Sequence, residues 1–249
     1  VLLIGTWVSK QDSIAWFFLP IFHVSAIALP VLLFIFLSLA QLKIGSHQRI
    51  WGLFASGMIL APLIIIVAEG ISLLLFGLIV VVFLQTQPGT LASIMDLLEQ
   101  LQNQNGQLDE LNHLVSSITA QPWFIIPVIG FGAVIVPLIE ECLKPFGMWF
   151  LKKHSLTSQA GFAAGVLCGS GYALFESLAL TLGGDGWAMV VMARIGTAAV
   201  HILTSAITGW ALVQAWQKRK YARLLGAYAF GVILHGIWNG LAIVSVFGS

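Results

Sequence analysis

Two adjacent carboxylates and a lysine interrupt an apolar run in the middle of the chain. The run covers residues 123–151 and contains Glu140, Glu141 and Lys144. An ionisable side chain inside a membrane-spanning segment costs roughly 2.5–3.5 kcal/mol on insertion scales, so such residues usually face the protein interior and serve a function. Neighbouring carboxylates also resist ionising together, which suits the pair to acid/base chemistry or to binding a cation.

Three later apolar segments also carry polar side chains at helical spacing. This spacing places the polar groups of one segment on one helix face, and within a membrane that face must look towards other helices. The groups are Tyr172 and Glu176 in the first segment, Arg194, Thr197, His201, Thr204 or Ser205, and Thr208 in the second, and Gly231, His235 and Asn239 in the third. Four segments with strong polar groups favour a functional polar centre.

The depths of these groups follow from the helix rise of about 1.5 Å per residue, counted from the basic loops. The calculated depths of Glu176 and Arg194 lie nearer the outer face of the membrane, where the two residues could pair with each other instead of taking part in the reaction. Lys144 lies one turn from Glu140 and could neutralise part of the carboxylate charge as an i,i+4 partner. Four groups share one layer at roughly 15 Å, namely Glu140, Glu141, His235 and, slightly shallower, His201.

The composition identifies an integral membrane protein, because 59% of the 249 residues are hydrophobic and only 8% are charged,. The chain is therefore expected to be embedded in the lipid bilayer. The formal net charge of +1 and the lack of a clustered basic surface argue against nucleic acid as a partner,. Cys142 and Cys168 lie in apolar segments without metal-ligand spacing and are predicted to be packing residues,.

The hydropathy pattern predicts an all-α, polytopic transmembrane helix bundle of about six spans, plus an external amphipathic helical segment over residues 86–121. The basic loops at 43–49, 152–153 and 218–220 then share the cytoplasmic side, and both ends lie outside. The second apolar run, residues 50–84, is interpreted as one tilted or broken span with Glu69 near the break. The predicted spans are residues 14–42, 50–84, 123–151, 158–182, 187–216 and 224–247.

The chain is predicted to have two parts within one membrane-embedded unit. Residues 1–122 hold the N-terminal spans and the external amphipathic segment, and residues 123–249 form a four-span catalytic core. In this core Gly161, Gly165 and Gly169 recur every four residues, a spacing that lets another helix approach closely,.

The ordered polar groups resemble those of the PrsW-type intramembrane proteases. That family belongs to a superfamily with the type II CAAX prenyl endopeptidases and the Aph subunit of gamma-secretase. The CAAX endopeptidases usually have a histidine where this chain has Glu176, so prenyl-protein processing is disfavoured. The matching residues are Glu140-Glu141-x-x-Lys144, Tyr172-x-x-x-Glu176, Arg194, His201 and His235-x-x-x-Asn239, on consecutive spans.

The resemblance implies an endopeptidase that cuts a membrane-anchored protein within a prokaryotic plasma membrane. PrsW-type enzymes are associated with membrane-anchored anti-sigma factors, so the resemblance allows a substrate of that kind, although the motif alone does not specify it. Lys144, Tyr172, Glu176 and Arg194 would support the reacting groups. The implied catalytic core is Glu140, Glu141, His201 and His235, with Asn239 in support.

Two mechanisms fit these residues, because peptide hydrolysis needs an activated water, an acid for the leaving amine and an oxyanion stabiliser. In the first, His201, His235 and a glutamate, Glu140, hold Zn²⁺, which lowers the pKa of its bound water to about 7 while the second glutamate acts as base. In the second, no metal takes part: Glu140 or Glu141 activates the water, and a histidine with Asn239 holds the oxyanion. We favour the metal and take Glu141 as the base.

Two other classes of function remain open. A non-catalytic membrane scaffold would use the same histidines to brace helices, although it has no evident need to bury two adjacent acids. A proton- or cation-coupled transporter also places carboxylates and histidines at the membrane midplane. Such transporters often show internal repeats, and the two halves of this sequence show none.

Overall fold

The chain is all-helical and polytopic, in agreement with the predicted fold class. A computed structural model describes residues 1–42, 45–86, 121–152, 155–179 and 184–247, with isolated positions between 89 and 99. Within these ranges six helices are long and apolar enough to cross a membrane: Ser13–Leu39, His47–Gln85, Pro122–Leu151, Ser158–Ala179, Trp187–Lys218 and Tyr221–Ser245. The predicted count is confirmed. The amphipathic segment at 86–121 lies almost wholly outside the described residues and stays a prediction.

The described helical segments contain α, π and 3-10 turns. Short π segments occupy Ser56–Leu60 and Phe131–Ile135, and 3-10 turns occupy Lys144–Leu151 and Gly184–Gly186. The α-helices are α1 (Leu2–Val8), α2 (Asp12–Leu39), α3 (His47–Ala55), α4 (Ala61–Gln85), α5 (Pro122–Gly130), α6 (Val136–Leu143), α7 (Ser158–Ala179), α8 (Trp187–Lys218) and α9 (Tyr221–Phe247).

The second span is one continuous helical segment of 39 residues, as predicted, but its irregular turn is not at Glu69. Glu69 lies inside the regular helix α4, and the π turn lies earlier, at Ser56–Leu60. A Cβ atom on Gly57 would overlap the carbonyl oxygen of Cys168, so the wide turn coincides with a close approach to α7. The prediction was wrong because a charged residue was taken as the sign of the irregularity, whereas a glycine at a helix contact marks it.

The structure divides into two compact units. The first contains Val1–Ile66 and Ile139–His235, and the second contains Val67–Leu138 and Gly236–Ser249. In the second unit the rings of Phe76 and Phe131 pack with their centroids 5.4 Å apart. The polar groups from Glu140 to His235 all belong to the first unit.

Helix α7 packs closely against α8 in the first unit through the predicted glycines. A Cβ atom on Gly161 would meet the carbonyl oxygen of Gly209, and one on Gly165 would overlap the carbonyl oxygen of Ser205. A Cβ atom on Gly169 would approach the carbonyl oxygen of His201. The small-residue stripe therefore brings the backbone of α7 onto α8 beside His201, as the spacing predicts.

Candidate active site

Polar side chains from four segments meet inside the first unit. Most of them are almost fully buried, although Glu176 is partly exposed. Burial of this much charge requires that each group find a partner within the protein. The group comprises Glu140 and Glu141 from α6, Lys144 from the following 3-10 turn, Tyr172 and Glu176 from α7, Arg194 and His201 from α8, and His235 from α9. We call these eight residues the polar cluster.

Lys144 is the central cation of the cluster and is completely buried. Helix α6 ends at Leu143, and Pro145 follows in a non-helical conformation, so Lys144 lies at a kink in the chain. Its Nζ atom is 2.5 Å from Glu141 Oε1 and 3.6 Å from Glu140 Oε2. The predicted i,i+4 pair with Glu140 is therefore present, but Glu141 at i,i+3 is the closer partner.

The contacts of His201 determine which of its nitrogens carries the proton. Lys144 Nζ lies 2.7 Å from His201 Nδ1, and an ammonium group can only donate, so Nδ1 accepts,. The proton of a neutral ring is then on Nε2, which lies 2.5 Å from Glu176 Oε2 and donates to it,. The ring is thus held between a carboxylate on one side and an ammonium group on the other.

His235 has a similar arrangement with different nitrogens. Its Nδ1 lies 3.0 Å from Glu141 Oε1 and donates to this carboxylate. The Nε2 atom of the neutral ring then carries a lone pair, and this nitrogen lies 4.0 Å from Glu140 Oε2. The two histidine rings meet edge to face with centroids 4.8 Å apart. Carboxylates that orient histidines in this way are typical of the outer shell of metal sites.

Glu176 connects Arg194 to His201. Arg194 Nη2 lies 2.8 Å from Glu176 Oε1, so the predicted pairing of these two residues occurs. The other carboxylate oxygen contacts His201, so the pair does not stand apart from the cluster. The depths calculated from helix rise had placed Glu176 roughly one turn away from His201. A glutamate side chain on a closely packed neighbouring helix covers that distance.

The cluster has an excess of negative charge that could hold a cation. With neutral histidines, three carboxylates face the two cations Lys144 and Arg194, which leaves one negative charge. Ligand atoms of Glu140, His201 and His235 lie within 4.8 Å of one another. Two histidines and a carboxylate are a common ligand set of catalytic zinc.

The fit to zinc requires two adjustments. Ligands about 2.1 Å from one zinc ion are at most about 4.2 Å apart, so the three side chains have to close slightly. The accepting nitrogen of His201 also faces Lys144, so the ammonium group has to withdraw before that nitrogen can bind a metal. The donor set therefore fits a zinc ion if Lys144 gives up its contact with His201 Nδ1.

Tyr172 and Asn239, two further residues of the predicted site, have contacts of their own. The Tyr172 ring packs edge to face on His201 at 5.2 Å, and Lys144 Nζ lies 5.3 Å from the Tyr172 centroid, within cation–π range,. Asn239 belongs to the second unit, where its Nδ2 donates to the carbonyl oxygen of Gly132 at 3.0 Å. Gly132 lies in the π turn at Phe131–Ile135, which the sequence analysis missed. The pair Gly130 and Gly132 in an apolar run was the available signal.

The fold and the cluster define a multi-pass membrane protein with a buried centre of glutamate and histidine side chains. A family model described as PrsW family intramembrane metalloprotease matches residues 107–248, more than half of the chain. The chain belongs to this family and is an intramembrane protease. No curated protein and no solved structure matches the chain.

Proposed function

We propose that the chain hydrolyses a peptide bond of a membrane-anchored protein, with residues 123–249 as the catalytic core and the polar cluster as the active site. The substrate class is a protein like an anti-sigma factor, and the membrane is a prokaryotic plasma membrane. The observation that carries the proposal is the paired orientation of the histidines. Glu176 fixes His201 and Glu141 fixes His235, so that each neutral ring has one nitrogen lone pair, which in His201 is released when Lys144 withdraws.

We assign the zinc ligands to Glu140, His201 and His235. A zinc ion bound there would supply an activated water near neutral pH and a positive charge for the developing oxyanion. The ligand atoms already lie close together, and the family is described as metalloproteases. Glu176 and Arg194 act on this site by holding His201, and Tyr172 packs against the same ring.

We assign the general base to Glu141. Its Oε1 is bound to His235 and Lys144, whereas its Oε2 is buried and has no hydrogen-bond partner among the described residues. The Oε2 atom is therefore available to accept a proton from water and to return it to the leaving amine. Lys144 Nζ contacts the other oxygen of this carboxylate and places a positive charge beside it. We assign Asn239 a supporting role through the family resemblance.

The first test is elemental analysis of detergent-purified protein together with the variants His201→Ala and His235→Ala. The proposal expects about one zinc ion per chain in the wild type and none in either variant. No zinc in carefully prepared wild-type protein would overturn the metal assignment and leave hydrolysis by the glutamate pair alone.

The second test separates hydrolysis from a scaffold or a transporter. At a saturating zinc concentration, Glu141→Gln should lose cleavage of a membrane-anchored peptide by about 10²–10⁴-fold, the usual contribution of a general base. It should also weaken zinc binding, because Glu141 orients His235,. Glu99→Gln, the same change at an exposed position, is the matched control. Full activity of Glu141→Gln would remove Glu141 from the reaction.

A further inference from the structure

A cavity of about 310 Å³ lies beside Glu141 in the first unit. Its walls come from the end of α6 and the following 3-10 turn, from the middle of α8 and from the start of α9. Nearly all of the wall is apolar, and Glu141 is its one ionisable carboxylate. The lining residues include Glu141, Cys142, Thr208, Leu212 and Leu225.

The cavity has a buried inner end and an open mouth. Glu141, Thr208 and Leu212 are buried at the inner end, whereas Leu225 at the mouth is 69% exposed. An occupant entering past Leu225 therefore reaches the carboxylate that we assign as the base. The cavity is continuous with the proposed reaction centre.

Two of the residues that line the cavity have a side-chain oxygen with unused hydrogen-bonding capacity. Glu141 Oε2 and Thr208 Oγ1 are both buried, and neither has a hydrogen-bond partner in the part of the chain that the structure describes. A buried carboxylate oxygen without a donor is costly. The attacking water supplies such a donor to Glu141 Oε2, and a peptide N–H or carbonyl group can bond to Thr208 Oγ1, whereas the acyl chain of a lipid bonds to neither group. The lining therefore favours a peptide segment over a lipid tail.

The volume fits a large apolar side chain. A cavity of about 150 Å³ lined by apolar residues is large enough to bind benzene, so twice that volume admits an aromatic side chain together with part of its backbone. We propose that this cavity is the subsite that receives a large apolar side chain of the substrate, next to the bond that is cut, and that it sets the cleavage position. This inference rests on the proposed function, because it places the scissile bond at Glu141.

The side-chain subsite can be tested by chemical protection of Cys142, which lines the cavity and is exposed, whereas Cys168 is fully buried. The probes are two lysine-flanked, alanine-rich peptides of about 20 residues, one with a central phenylalanine and one with alanine at that position. The rate of Cys142 alkylation by N-ethylmaleimide is measured by mass spectrometry with each peptide, and peptide cleavage is recorded in the same samples.

We expect the phenylalanine peptide to slow alkylation about tenfold or more relative to the alanine peptide, because a filled apolar pocket discriminates by at least that factor. Cuts should fall at a fixed distance from the phenylalanine. Leu225→Trp should abolish the difference between the two peptides by filling the mouth. Leu241→Trp should preserve it, since Leu241 lies on the same helix, is 65% exposed and does not line the cavity.

Each outcome supports or overturns one of the two proposals. Cleavage with equal alkylation rates for the two peptides overturns the subsite and leaves the protease. Protection by the phenylalanine peptide without any cleavage keeps the cavity as a binding site for apolar side chains and overturns the placement of the reaction at Glu141. Protection by an added phospholipid as strong as that by the phenylalanine peptide overturns the subsite in favour of an acyl-chain pocket.

Discussion

Glu176 holds His201 and Arg194 together, so its charge should control both metal binding and stability. Loss of a carboxylate that orients a ligating histidine typically costs 10–100-fold in metal affinity or activity. We therefore expect Glu176→Gln to weaken zinc binding by about 10–100-fold, measured by titration against a competing chelator. The same variant leaves Arg194, whose side chain is only 11% exposed, without its counter-ion and should lower the thermal stability,.

The double variant Glu176→Gln/Arg194→Met separates these two effects. Removal of both charges should restore much of the thermal stability, because no unpaired cation remains. It should not restore the zinc affinity, because His201 still lacks its carboxylate. Recovery of both properties together would show that Glu176 acts on folding alone.

Lys144 supplies the positive charge that a metal would otherwise provide to the cluster. Removing one partner of a buried ion pair costs about 3–5 kcal/mol, so Lys144→Met should lower the melting temperature of chelator-treated protein by about 10 °C. Zinc should raise the melting temperature of this variant more than that of the wild type, since nothing then opposes the ion at His201. Lys152→Met, at an exposed position, is the control. If zinc raised the melting temperatures of Lys144→Met and of the wild type equally, the idea that the Lys144 ammonium group and the metal compete for His201 would be contradicted.

The contact between α7 and α8 determines whether Glu176 reaches His201. A Cβ atom on Gly165 would overlap the Ser205 backbone, and overpacking of this kind costs about 1–3 kcal/mol,. Gly165→Ala should therefore lower the melting temperature by about 5 °C and reduce zinc affinity, because the helices separate. Gly70→Ala, with no atom within 4 Å of the added Cβ, should do neither. Equal melting temperatures for the two variants would show that the glycine contact is not tight.

The helices were more predictable than their irregular turns. Span positions depend on hydropathy and length, which the sequence displays directly, and the third span was predicted at 123–151 and observed at Pro122–Leu151. The π turns at Ser56–Leu60 and Phe131–Ile135 leave the apolar pattern unchanged, so hydropathy could not reveal them.

Side-chain contacts were predictable only where one helix carries both partners. Lys144 and Glu140 are an example, since i,i+4 spacing is a local property. The contact of Glu176 with His201 depends on the rotation and separation of two helices, and a depth calculation contains neither quantity.

The distribution of positive charge predicts the orientation of the whole molecule. The loops at 43–49, 152–153 and 218–220 should all face the cytoplasm, and residues 86–121 should lie outside,. In a protein with Cys142 and Cys168 replaced by serine, a cysteine at Glu99 should react with a membrane-impermeant maleimide in intact cells. Cysteines at Gln48 and Lys220 should react only after permeabilisation. Labelling of Gln48→Cys in intact cells would invert the topology.

The uneven exposure of the polar cluster bears on how the reaction obtains its second substrate. Every hydrolysis consumes a water molecule, and a bilayer core provides almost none. Within the cluster the Glu176 side chain is 29% exposed, whereas those of Glu140 and Glu141 are 7% and 1% exposed. Glu176 is thus the most exposed carboxylate of the cluster, and the chain of contacts from Glu176 through His201 to Lys144 connects that exposed edge to the buried interior where we propose that the peptide is cut.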